Sequence, residues 1–207
     1  MSAVLTTADR LEPYFPNAAA AIRFAVTRVG SPQRPASSRM LDASLGGRSL
    51  SGLDAVAQAG MILNALEALG RLPVATLIAA SAPRTLPCYC RRPCCSGHRL
   101  HQSWGEAVHT ITEEARRVLP PEARLATYAL RAAIVVKIYG GHKSFREIAD
   151  QVDVAVDTVS DYHRAIHRWL LGAKAGKWGE GVEGIEPLAW REAETVLRQV
   201  GIVGSVA

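Results

Sequence analysis

Residues 144–171, SFREIADQVDVAVDTVSDYHRAIHRWLL, carry the clearest structural pattern in the sequence. Apolar residues recur there at helical spacing in two groups, which predicts two short helices with one buried stripe each. Ser144 precedes the first group, and Glu147 lies three residues after Ser144. The first helix should therefore begin with a capping box. Residues 153–155 separate the groups and are predicted to form a tight turn. The small Ala149 suits a close crossing of the two helices.

A pair of this kind is typical of the helix-turn-helix of DNA-binding proteins, and an ordinary helical hairpin is the alternative. In the major groove, Arg or Lys usually reads guanine and Asn or Gln reads adenine. The start of the second helix has none of these and carries Asp157 and Asp161 instead, so docking on a protein is a second possibility. The predicted base contacts are Val156, Thr158 and Ser160, and the predicted phosphate contacts are Lys143, Arg146, His163, Arg164, His167 and Arg168.

All four cysteines lie within residues 87–101, PCYCRRPCCSGHRLH. Such crowding favours a metal over a distributed disulfide framework, and zinc takes four sulfur or nitrogen ligands in a tetrahedron. We therefore predict a structural Zn²⁺, with His101 as a spare ligand. A redox pair or free thiols are the alternative. The candidate ligands are Cys88, Cys90, Cys94, Cys95 and His98.

Arginines alternate with these candidate ligands. One interpretation is that they are solvated, and the other is that zinc fixes a compact basic knob that binds phosphate or a polymerase surface. We define this basic knob as Arg91, Arg92 and Arg99.

Catalytic zinc is not expected, because no Asp or Glu that could act as a base lies inside the cluster. The sequence also lacks a phosphate-binding loop, GxSxG and HExxH. We interpret His109 and Glu113 as an exposed helix contact. The chain is therefore predicted not to be an enzyme and to have no small-molecule substrate.

The composition favours an all-α fold, because alanine is abundant and aromatic residues are only 6%. With 207 residues, of which 48% are hydrophobic, the chain can bury a proper core. Its net charge of +5 is compatible with a polyanionic partner. No apolar run of about 18 residues and no secretory leader is apparent, so we expect no membrane span and a cytoplasmic location.

Four regions are predicted along the chain. Residues 1–48 should be weakly ordered apart from a short alanine-rich helix, and 49–120 should be helical with the zinc-binding loop. Residues 121–172 should form the helix-turn-helix domain, opened by a helix that starts at Pro121. Residues 173–207 should be a glycine-rich loop and a final helix. In the second region, the predicted buried face of the first helix consists of Leu53, Val56, Ala57, Gly60, Met61, Leu63, Asn64 and Leu66.

Leu-Pro-Pro-Glu at 119–122, the apolar helix after it, the Gly-Gly turn and Glu-Ile-Ala…Thr-Val resemble the fourth region of bacterial sigma factors. Together with the upstream cysteine cluster and SLSGLDAVAQAGMILNAL, they resemble phage late-gene antitermination proteins of the Q type. The resemblance covers roughly residues 49–171. It implies a small helical domain with a structural zinc loop and a sigma-region-4-like helix-turn-helix.

The function implied by the resemblance is transcription antitermination. Such proteins bind double-stranded DNA near a phage late promoter and engage bacterial RNA polymerase holoenzyme, including its sigma factor and flap region, in the host cytoplasm. They then let polymerase read through terminators. The alternative is a helix-turn-helix repressor or activator, or a small terminase subunit that recognises packaging DNA.

Overall fold

Helices dominate the computed structural model, which describes residues 14–30, 53–88, 90, 92, 96–120, 127–174 and 181–204. Eight α-helices lie within these ranges: α1 Ala18–Gly30, α2 Leu53–Leu66, α3 Arg71–Ser81, α4 Gln102–Glu114, α5 Tyr128–Ile138, α6 Phe145–Val152, α7 Val156–Leu171 and α8 Ile185–Gln199. Two short antiparallel strand pairs accompany them: β1 Thr85–Pro87 with β2 His98–Leu100, and β3 Gly172–Ala173 with β4 Val182–Glu183. The prediction of a mainly helical fold is confirmed.

One continuous cluster of buried apolar side chains draws on all eight of these helices. Helix α3 packs against α1, α4 and α8, while α8 also contacts α2 and α7. Small residues face each other where α1 meets α2, since Ala21, Ala25 and Ala59 are fully buried. Alanines at such positions let two helix backbones approach closely. None of the helices in the described ranges has the length and apolarity that a membrane span requires.

Helix α1 lies in the segment that we expected to be weakly ordered, yet it contributes to the core. Its Ile22 is fully buried, and its first turn is held by α8, because the Glu194 carboxylate accepts the backbone N–H of Ala18 at 2.7 Å. Just before it, Phe15 forms a parallel bridge with Val203 after α8. The two ends of the described chain are therefore tied together.

The predicted buried face of α2 is wrong except toward its C-terminal end, where Leu63 is half-buried and Leu66 is fully buried. Val56 and Met61 are 57% and 58% exposed, and Ala57 and Gly60 are exposed as well. The helix is rotated so that a different stripe enters the core: Ala55, Gln58, Ala59, Ile62 and Leu66. Both stripes recur at helical spacing, and packing against α1 selects the second.

The predicted start of α5 at Pro121 is also wrong. Thr127 has extended backbone angles, and its side-chain oxygen accepts the N–H of Leu130 at 3.2 Å, so the helix is capped there and begins at Tyr128. Residues 121–126 lie outside the described ranges. Leu130, Ile134 and Val135 of this helix are buried, and α5 contacts both α6 and α7.

Candidate nucleic-acid interface

The start of α6 is fixed by the predicted capping box. The Ser144 hydroxyl accepts the N–H of Glu147 at 3.2 Å, and the Glu147 carboxylate accepts the N–H of Ser144 at 2.6 Å and its O–H at 2.8 Å. These hydrogen bonds, with Lys143 and Lys137 nearby, hold the pKa of Glu147 below its usual value. This capping box fixes the start of α6 at Phe145, the residue after Ser144.

The turn between α6 and α7 depends on one residue with positive φ. Asp153 has φ 53° and ψ 56°, the left-handed conformation that an aspartate adopts more readily than most side chains. The N–H groups of Asp153 and Val154 both reach the Ala149 carbonyl, the latter at 3.1 Å. Ala149 and Ile148 are buried, as is Val159 across the turn, so the two helices share a packed crossing.

The outer side of α7 presents two adjacent stripes of polar side chains, because residues three and four apart share a helix face. The first stripe contains Val156, Ser160, His163 and His167. The second contains Asp157, Asp161, Arg164 and Arg168, all exposed. These stripes bring together most of the residues that we predicted to contact DNA.

Thr158 does not belong to either stripe. By helical periodicity it lies nearly opposite Val156 and Ser160, in line with Tyr162 and Trp169, and it is half-buried. Of the three side chains predicted to read bases, Val156 and Ser160 therefore share a surface that Thr158 does not.

Charge on the second stripe is partly neutralised. The Arg164 guanidinium donates to the Asp161 carboxylate at 3.0 Å, and both side chains are well exposed. An exposed pair of this kind contributes little to stability and is easily exchanged. Arg168 and Arg146 are also exposed, on α7 and α6.

A cationic and aromatic cluster lies where α5, α6 and α7 meet. The Lys137 ammonium is 5.1 Å from the centre of the Phe145 ring, and the His163 ring is 5.0 Å from the same ring. His167 follows, with its ring centre 5.6 Å from that of His163. Lys143 turns away, because its ammonium hydrogen-bonds the Gln151 amide oxygen. Sequence reasoning named His163 and His167 but missed Lys137 and Phe145.

Two of the predicted zinc ligands, Cys88 and His98, lie at the β1–β2 hairpin. Pro87 pairs with His98 in the ladder, and the Cys88 N–H donates to the Gly97 carbonyl at 2.8 Å. Because successive side chains of a strand alternate between faces, this register places Cys88 and His98 at the same stem but on opposite faces of the ladder. Cys90 is exposed. Cys94 and Cys95 lie outside the described residues. In the part of the cluster that is described, no three possible ligands are gathered as a metal would require.

His101 is not a spare ligand. It is completely buried at the start of α4, where its Nδ1 accepts the N–H of Trp104 at 3.4 Å and its Nε2 lies 3.1 Å from the Val26 carbonyl oxygen. Burial is the main reason that its pKa is lowered. His101 therefore caps α4 and joins it to α1.

The basic knob is described only in part. Arg92 and Arg99 are exposed, and Arg91 lies outside the described residues. Upstream, Arg84 is half-buried: its guanidinium lies 5.3 Å from the Trp104 ring and donates to the Gly140 carbonyl at 2.7 Å. This hydrogen bond connects the hairpin to the loop that precedes α6, a contact that the sequence did not indicate.

No known protein family, curated protein or solved structure matches this chain. Function must therefore be argued from the site.

The interpretation of His109 as paired with Glu113 is replaced by a different contact. Its Nδ1 is 2.8 Å from the Tyr128 hydroxyl, at the start of α5, and both side chains are exposed. The pair borders a surface depression that Arg71 and Glu106 also line. This contact ties α4 to α5.

Proposed function

We propose that this chain is a DNA- and RNA-polymerase-binding regulator that lets polymerase read through terminators of phage late genes. The observation that carries DNA binding is the outer side of α7, where imidazole and guanidinium groups follow a short capped helix and a three-residue turn. The step from DNA binding to antitermination rests on the resemblance of residues 49–171 to Q-type proteins.

In the proposed complex, α7 lies in the major groove with its first turns toward the bases. Ser160 and the Val156 methyl groups read base edges, while His163, His167 and Arg168 approach phosphates. Thr158, on the opposite side of the helix, is left out of base reading. Asp157 and Asp161 oppose phosphate, although Arg164 offsets the charge of Asp161.

Such an interface gives weak sequence discrimination. A hydroxyl and two methyl groups distinguish base pairs less well than the bidentate contacts of Arg, Asn or Gln. Recruitment would therefore need a second anchor, and a polymerase paused near the promoter supplies one. The carboxylates of Asp157 and Asp161 would repel phosphate, and they make direct docking of this face on polymerase the second candidate.

We propose that the hairpin holds a structural Zn²⁺. The support for it is the sequence, which gathers five candidate ligands in this hairpin: Cys88, Cys90, Cys94, Cys95 and His98. When bound, zinc would supply a cross-link between the side chains of this hairpin. It would fix the basic knob near the loop that Arg84 connects to α6.

The Cys88→Ser variant tests this proposal. We expect wild-type protein to hold about one zinc ion per chain and the variant to hold much less, since a hydroxyl is a poor zinc ligand. The measurement is elemental analysis after dialysis, with thermal unfolding before and after a chelator. Ser96→Ala, an exposed change in the same hairpin, is the control and should retain the metal. A wild-type protein without metal, whose unfolding ignores chelator, would refute the proposal.

In vitro transcription tests the function itself. On a template with the native upstream promoter region, purified protein should increase passage of host polymerase through a terminator. Replacing that upstream region should abolish the effect. Arg168→Ala should weaken DNA binding to all sequences and reduce its salt slope by about 1, as loss of one phosphate contact does, and should reduce readthrough.

Arg23→Ala is the matched control, because it removes an exposed arginine from α1, whose main contacts are with α2, α3 and α8. A footprint or altered initiation without readthrough would place the chain with conventional repressors, activators or terminase subunits. Readthrough that survives Arg168→Ala unchanged would mean that α7 docks on protein.

A further inference from the structure

The cluster formed by Lys137, Phe145, His163 and His167 combines groups that repel one another when charged. Lys137 comes from α5, and the two histidines are one turn apart on α7. Phe145 is the common neighbour of Lys137 and His163, since both lie about 5 Å from its ring centre. One permanent cation and one titratable imidazole therefore contact the same half-buried ring, and the second imidazole lies beside the first.

The carboxylates nearest in sequence are already engaged. Glu147 on α6 accepts two hydrogen bonds from Ser144, and Asp161 on α7 is paired with Arg164. The groups that act electrostatically on His163 are Lys137 and His167, both of which disfavour its charged form. The Glu147 carboxylate offsets part of the charge of Lys137, which lies close enough to lower the pKa of Glu147, but no carboxylate is among the groups that shift the pKa of His163.

Hydrogen-bond donors of the cluster remain available to a ligand. The Lys137 ammonium uses one donor on the Lys143 carbonyl, at 2.7 Å, and an ammonium has three. No protein acceptor holds the imidazole nitrogens of His163 and His167 in the described structure, and His167 is exposed. An anion bound by Lys137, His163 and His167 would accept hydrogen bonds from all three side chains. Its negative charge would also offset the repulsion between their positive charges.

We propose that Lys137, His163 and His167 bind one phosphate of a nucleic-acid backbone and that His163 takes up a proton when it does so. The inference rests on the proposed function, in which α7 faces DNA, and it adds the ligand and the proton to that contact. Ser160, one turn before His163 on the same stripe, places the bound phosphate beside the base-reading end of α7.

Proton uptake sets the sign of the pH dependence. In the free protein, burial is the largest cause that lowers the pKa of His163, followed by His167 and Lys137. The imidazole is therefore neutral at pH 7. A bound phosphate favours the charged imidazole and raises its pKa. DNA affinity should then rise as the pH falls between the two pKa values, by about tenfold per pH unit for each proton taken up.

The experiment measures duplex affinity by fluorescence anisotropy from pH 5.5 to pH 8 at constant ionic strength. Wild type should bind more tightly at lower pH, and His163→Gln should flatten that dependence. His109→Gln is the matched control, because His109 is an exposed histidine on α4 outside the cluster, and it should keep the wild-type slope. Lys137→Met, which keeps an apolar stem over Phe145 without the charge, should weaken binding across the whole range.

A second readout uses sulfate alone, followed by the imidazole resonances of His163 in the full-length protein. Sulfate should raise the pKa of His163 in wild type and raise it less in Lys137→Met. DNA binding without a pH slope, or a His163 pKa that ignores both sulfate and DNA, would overturn the inference. A pKa raised by sulfate in a protein that does not bind DNA would support the anion site and refute the proposed function.

Discussion

His101→Ala should reduce the free energy of unfolding by about 2–4 kcal/mol. The imidazole has no exposed surface and joins two helices, because Trp104 donates its N–H to Nδ1 and Nε2 faces the Val26 carbonyl. Alanine removes the cap of α4, leaves the Val26 carbonyl without this donor and opens a cavity. Chemical denaturation of both proteins at pH 8 measures the difference.

The same side chain makes stability depend on pH. Both hydrogen bonds are satisfied by a neutral ring with its proton on Nε2, whereas a proton on Nδ1 would face the N–H of Trp104. The pKa of His101 is lowered in the folded protein, so the unfolded chain takes up the proton first. Stability is therefore lost as the pH falls below about 6.5 toward the folded pKa.

His101→Ala should lose this component, so that its deficit relative to wild type is smaller at pH 5.5 than at pH 8. His142→Ala, a change at an exposed histidine before α6, should match wild type at both values. A deficit for His101→Ala below about 1 kcal/mol at pH 8 would contradict the role of this residue as a buried cap.

The sequence could predict α6, α7 and the turn because their signals are local. Ser144 and Glu147 are three residues apart, and the capping box needs nothing from the rest of the chain. Asp153 occupies a conformation that glycine usually takes, and its short polar side chain tolerates that position. Local hydrogen bonds of this kind can be predicted from the sequence alone, because both partners lie within a few residues of each other.

The sequence-based predictions differ from the structure where contacts between distant parts of the chain decide which side chains are buried. Helix α2 has two small and apolar stripes, and only contact with α1 buries Ala59 rather than Gly60. His101 was grouped with the cysteines by proximity in sequence, while its actual partner, Val26, is 75 residues away. No short-range pattern contains such a contact.

The residues of the proposed nucleic-acid interface could likewise be predicted only where they belong to a single helix. The stripes of α7 follow from helical periodicity, which also separates Thr158 from Ser160. Lys137 and Phe145 belong to other helices, and only the packing of α5 and α6 on α7 brings them to His163. The sequence therefore predicts that α7 carries polar and basic stripes. It does not predict the cluster of Lys137 and Phe145 with His163.

Gly184→Ala should destabilise the protein by about 3 kcal/mol or more. Gly184 precedes α8 and is buried against the end of α7, where an added Cβ would overlap the backbone nitrogen of Gly172 and the Leu170 carbonyl oxygen. Neither neighbour is a movable side-chain end. The methyl group would therefore force apart β3 and β4, which join α7 to α8.

Gly60→Ala provides the matched control, because the same methyl group is added where no atom lies within 4 Å. In the exposed interior of α2, alanine should raise the free energy of unfolding by about 0.5–1 kcal/mol, since glycine loses more backbone entropy on folding. Thermal and denaturant unfolding of both variants measure the contrast. Equal effects would show that the crossing of Gly172 and Gly184 is looser than described. Opposite signs would locate the constraint that holds α8 against α7, and with it the support on which the proposed interface depends.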